Sequence, residues 1–209
     1  MMILKKYLAL VKVAPLLWLL FALAACAALP GSAPTNFYIL KPAGDLKMSG
    51  GALAEGVSVG VGPVQIPGYA DRPQIVTFDQ GSAIEVHDFD HWAEPLPEAI
   101  RRVLTSNVSS LLGAARVFPY PADFRPDRQA VQVAVNIIDI TQSSDGRAVL
   151  SLRWHVRALY DNVVLGRFVK SYEAPGTPGD LGSYAEGLSG LLGRLSEDIA
   201  ASLADLDLS

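Results

Sequence analysis

Residues 57–66 (VSVGVGPVQI) alternate. Val57, Val59 and Val61 fall on one side, and Ser58, Gly60 and Gly62 on the other. Period two marks a strand with one covered face, and a row of glycines on the second face implies a close neighbour or a bend. Residues 149–160 alternate without a break: Leu150, Leu152, Trp154, Val156 and Ala158 oppose Ser151, Arg153, His155 and Arg157. Residues 130–141 place Val131, Val133, Val135 and Ile137 on one face, and then Ile138 and Ile140 disturb the rhythm, which predicts a bulge or burial on both faces. Asp145-Gly146 predicts the hairpin between these two strands, and Asp161-Asn162 the turn into a return strand over 163–173. Shorter β-rich runs lie at 35–40, 74–78 and 83–87, the last two as a hairpin around 79–82. Residues 41–56, with Pro42 and four glycines, read as a loop, and 67–73 as a turn.

Twice the period becomes helical. Ile100, Val103, Leu104, Val108, Leu111 and Leu112 recur at three and four residues, with Pro95 and Pro97 at the entrance and Gly113 at the exit. Arg101, Arg102 and Asn107 fall on the wet side of this helix. Tyr184, Leu188, Leu191, Leu192, Leu195, Ile199, Leu203 and Leu206 make a second stripe, which Ser183 and Glu186 are spaced to open as a capping box. Hairpins and helices without regular βαβ alternation predict a single α+β domain over 37–209: a mostly antiparallel sheet with two amphipathic helices packed on one face.

The N-terminus departs from both rhythms. Residues 13–25 are almost wholly apolar after Lys5, Lys6 and Lys12. As a helix this run spans about 20 Å, short of a ~30 Å hydrocarbon core, so residues 1–25 read as a signal peptide. Leu23-Ala24-Ala25-Cys26 has the bacterial lipobox pattern, which makes Cys26, the only cysteine, a lipidation site. Residues 26–36 (CAALPGSAPTN) are a lipidated Cys and a tether. Ten flexible residues average about 17 Å end to end, so the body rides close to its membrane. Ala27 stands where inner-membrane lipoproteins carry Asp, so the expected destination is the outer membrane, facing the periplasm.

Charge narrows the function. The first 25 residues hold three Lys and no acid, so the remaining 184 carry 14 basic and 21 acidic residues, a formal −7. A body of that charge is a poor ligand for nucleic acid. G-x-S-x-G, P-loop and complete G-x-G-x-x-G patterns are absent from the sequence. His87 and His91, with Asp88, Asp90 and Glu94, would bind metal only if a tight loop brought the two rings together. The flanking pattern predicts a strand end and a loop, hence a solvated acidic segment. Glu85, Asp88 and Glu94 lack an aromatic-lined cleft in sequence to make a glycosidase pair. The expectation is a protein with no catalytic residues, no metal and no cofactor beyond the lipid on Cys26.

Residues 66–76 (IPGYADRPQIV), 92–96 (WAEPL) leading into a helix, 195–200 (LSEDIA) and the strand carrying Trp154 resemble the ABC-type transport auxiliary lipoprotein family. Its PqiC-like members accompany MCE-type lipid transport systems. The resemblance covers about 35–203; His91 stands where the family commonly has Arg. It implies a non-enzymatic, outer-membrane-tethered periplasmic subunit that docks an MCE assembly and supports envelope integrity. The alternative is a stand-alone binder of lipid or peptidoglycan. Loops on a rigid scaffold carry recognition, and aromatics and Arg dominate interface energy. The expected docking residues are therefore Tyr69, Asp71 and Arg72 on one loop and Trp92 and Glu94 on the other. The partner there is the MCE protein or a further copy of this chain in a ring.

Overall fold

The structure, a computed structural model, describes residues 34–48, 52–78 and 83–206. The leader, Cys26 and the turn at 79–82 lie outside these residues. Ten strands and α-helices follow in order among the described residues: β1 (Asn36–Tyr38), β2 (Ser58–Gln65), β3 (Gln74–Phe78), β4 (Ile84–Trp92), α1 (Leu96–Leu112), β5 (Val117–Pro119), β6 (Ala130–Gln142), β7 (Ala148–Ala158), β8 (Val164–Ala174) and α2 (Leu181–Asp205). They form an α+β domain with two sheets, ordered β5-β2-β6-β7-β8 and β1-β4-β3.

The long hairpins form as their alternation requires. β6 and β7 pair antiparallel, with Val135 opposite Trp154 and Ile137 opposite Leu152. The register then slips, so that Ile138 and Asp139 together face Ser151 and Ile140 returns to the core opposite Leu150. That is the bulge expected at Ile138, whose side chain is 53% exposed while Ile140 is 2% exposed. The core faces of β6 and β7 are covered by the helices: α1 lies over β2 and β5, α2 over β7 and β8, and the two helices pack on each other. Trp154 stacks on Phe168 at 4.9 Å and its indole N–H donates to Ser202 of α2 at 3.4 Å. Trp154, Leu188, Leu192, Leu195 and Ile199 belong to one hydrophobic cluster.

The glycine face of β2 has the close neighbour it implied. A side chain at Gly60 would lie 2.9 Å from the Phe118 ring of β5, and one at Gly62 would meet the Tyr120 carbonyl at 2.2 Å. Gly62 also has φ +125°, a backbone region that side chains strain.

Several expectations change. The sheet is not single, and β2 pairs parallel with both β5 and β6, as β1 does with β4. Antiparallel pairing still carries the long strands. β1 lies within the β-rich run expected at 35–40, whereas β5, three residues long, is too short for periodicity to announce. β4 continues through Trp92, so residues 88–92 are strand rather than loop. The cap of α2 is Asp180, whose carboxylate accepts from the Ser183 amide at 3.0 Å, three residues before the expected box. Asn107 is fully buried instead of wet, and its Oδ1 accepts the Ala43 amide at 3.0 Å.

Residues 40–47 form a strap across the helices. Leu40 is buried, the Lys41 amide donates to Ser189 at 3.1 Å and the Lys47 amide to Glu197 at 2.7 Å. Ala43 fills the space that a side chain at Gly193 would take, at 2.9 Å.

Candidate docking cleft

The two loops expected to carry recognition meet. Asp71, Arg72 and Pro73 line one side of an open cleft of about 320 Å³, and Trp92, Glu94 and Pro95 the other. A backbone bond joins the sides, the Trp92 amide donating to the Pro73 carbonyl at 2.8 Å, and the Ala93 amide ties the second side to β1 through the Tyr38 carbonyl at 2.8 Å. A tight turn sets the first loop, with the Ala70 amide donating to Pro67 and the Arg72 amide to Ala70, both at 2.9 Å. Proline restricts backbone rotation on both sides, so the cleft walls lose little freedom when covered.

The five expected residues divide by burial. Asp71 and Arg72 are exposed. Neither enters an ion pair among the described residues, so their charges face outward uncompensated. Glu94 is committed: Arg102 donates to it through Nε at 3.0 Å and, through Nη2, to the Leu40 carbonyl at 2.9 Å. Trp92 is only 6% exposed and its ring sits 6.1 Å from that of Tyr184, so it forms the cleft floor and part of the core. Tyr69 is half-buried; its ring lies 5.4 Å from Phe78 and its hydroxyl donates to Asp139 at 2.6 Å. Burial, and then that carboxylate, push the Tyr69 hydroxyl's pKa well up, so it stays a donor. The two aromatics thus hold the loops from behind, leaving Asp71 and Arg72 in front.

The histidines go to separate partners. His87 Nε2 lies 2.9 Å from Thr77 Oγ1, and His91 Nε2 lies 3.0 Å from the Asp88 carbonyl with its ring edge-on to Phe37. Asp90 accepts from Asn36 at 3.0 Å and from the Tyr38 hydroxyl at 2.9 Å. No group of three or more metal-ligating side chains stands together among the described residues. Arg102 lies on the exposed side of α1 as its helical position implies, and from there it ties Glu94 to the strap; nothing in sequence marks a contact eight residues back.

A family model described as the ABC-type transport auxiliary lipoprotein component matches residues 38–200. A crystal structure of a Xanthomonas campestris protein of the DUF330 family superposes with a TM-score of 0.63 at 13% identity, covering 81% of this chain and 94% of that one. A PelC dodecamer from Paraburkholderia phytofirmans superposes with a TM-score of 0.42 at 15% identity, covering 76% of this chain and 97% of that one. No curated protein matches the sequence.

Proposed function

Because the chain belongs to the ABC-type transport auxiliary lipoprotein family, we propose that it is a non-enzymatic accessory subunit that docks an MCE-type intermembrane lipid transport system. In this reading it is held at the periplasmic face of the outer membrane by lipid on Cys26, with residues 26–36 as tether. No described helix is long and apolar enough to cross a membrane, which accords with a body held by its N-terminus.

One observation carries the docking reading. Two segments separated in sequence meet in a single open cleft whose front presents Asp71 and Arg72, neither in an ion pair among the described residues. Fixed loops with free opposite charges favour a partner of matching charge and penalise others. Tyr69 and Trp92 serve the same surface indirectly, by fixing the loops.

The test is crosslinked pull-down from native envelopes, with partners identified by mass. Arg72→Glu and Asp71→Arg should each abolish recovery of the MCE protein while leaving the melting temperature nearly unchanged. Full recovery with both variants would place the docking face elsewhere. Recovery of the body without any transporter subunit would end the accessory reading.

A further inference from the structure

We propose that the outward face of β7 and β8 is a membrane-facing surface on which Arg153, Arg157 and Arg167 bind the phosphate headgroups of an anionic lipid bilayer. The alternation of β7 turns Arg153, His155 and Arg157 away from the helices, and the register sets Arg167 opposite His155. Arg153 and Arg167 are exposed and form no ion pair among the described residues. Arg157 is held by neutral acceptors, Gln132 at 3.0 Å and Asn162 at 2.8 Å, so its charge is oriented but not cancelled. The acids toward the far end of this face are engaged: Asp139 by Tyr69 and Glu173 by Arg147. Burial, then Arg157 and Arg167, pull the His155 pKa down, so the ring itself adds little charge near neutrality.

Clustered like charges on one sheet face oppose folding. In a chain of net charge −4, three uncompensated arginines there call for an anionic partner. The apolar neighbours select a bilayer over an acidic protein. Val169, directly opposite Arg153, is 72% exposed, and Ile138 projects at the β6 bulge. Guanidinium groups beside exposed aliphatic side chains match phosphates layered over acyl chains. The chain belongs to a lipoprotein family, so such a surface lies within reach.

The mature lipidated chain, whose Cys26 sulfur is already blocked as a thioether, carries Val169→Cys labelled with an environment-sensitive dye and is reconstituted into vesicles; that blocking rests on the lipid-anchor reading and is checked first by mass. Vesicles of phosphatidylglycerol with phosphatidylcholine are compared with phosphatidylcholine alone. The expected result is blue-shifted emission in the anionic vesicles only, reversed by high salt and lost in the Arg153→Gln/Arg167→Gln double variant. Each single Gln variant should need about fivefold more anionic lipid for the same response. A label at Ser106→Cys on α1 should not respond. The proposal is overturned by equal emission in both lipids, by a shift that survives the double variant while circular dichroism shows it folded, by an equal shift at Ser106→Cys, or by a response that appears only when envelope proteins are added.

Discussion

The Tyr69 hydroxyl and the Asp139 carboxylate, 70 positions apart, lock the 67–73 turn, which leads into the small sheet, onto the large one. The hydroxyl donates to Asp139 at 2.6 Å and accepts the Ile140 amide at 3.1 Å. Asp139 sits in the β6 bulge, so the irregularity that Ile138 introduces is also what offers a carboxylate and an amide to that turn. Tyr69→Phe should therefore cost about 1–3 kcal/mol, because a buried amide and a carboxylate each lose a partner. Urea denaturation measures it, and a double-mutant cycle with Asp139→Asn should return a coupling above about 0.5 kcal/mol. Zero coupling would make the contact incidental.

Leu192→Ala should destabilise by about 2–5 kcal/mol, since Leu192 is 1% exposed in the cluster between α2 and the sheet. A loss below about 0.5 kcal/mol by denaturant titration would mean that the stripe does not carry the core.

Two glycines of α2, three residues apart, should respond with opposite signs. A side chain at Gly190 meets nothing within 4 Å, so Gly190→Ala should stabilise by about 0.5–1 kcal/mol through helix propensity. Gly193→Ala should destabilise, because the new methyl would lie 2.9 Å from Ala43 and lift the strap. Thermal melts of the two variants on either side of the wild type are the expected result.

The strands of 130–173 were legible because one covered face imposes strict alternation, and even the bulge at Ile138 showed as a break in it. What failed depended on partners distant in sequence. Residues 88–92 (DFDHW) look like an acidic loop, yet Asp90 is satisfied by Asn36 and Tyr38 of β1, which lets the strand continue. Asn107 reads as wet by helical position, but it caps the Ala43 amide of the strap. Trp92 beside charged residues looks like an interface anchor; it lines the cleft as its floor, and its burial against Tyr184 is the part local sequence does not show. Asp71 and Arg72 were the legible part of the cleft; its depth came from the pairing of Trp92 with Pro73, which no local pattern encodes.

His155 predicts a pH response. Its folded pKa lies below its unfolded value of 6.5, through burial first and then Arg157 and Arg167. As pH falls below about 6.5 the unfolded chain takes up a proton that the folded one resists, so this group's contribution is lost until the folded pKa is passed. His155→Gln should flatten the dependence of stability on pH in that window. In NMR titration, Arg167→Gln should move the His155 pKa upward; an unmoved value would separate the two side chains electrostatically.

Cys26→Ser should leave unprocessed precursor, and the wild-type mature mass should include acyl chains at Cys26. Diacylglycerol with an amide-linked chain buries many methylenes at about 0.8 kcal/mol each, so release from the membrane should be negligible. A mature protein without lipid would leave the body unanchored.

The parallel pairing of β1 with β4 bears on mechanics. Asn36, Phe37 and Tyr38 register with Asp90, His91 and Trp92. A pull along the strand, delivered through the residues before Asn36, would load these three pairs together in shear instead of peeling them singly. Behind them, the bonds from Lys41, Ala43 and Lys47 to both helices take the remaining force. Tension entering through the N-terminal side would thus reach the cleft at Trp92 through β1 first, and the helical layer only after those three pairs had given way.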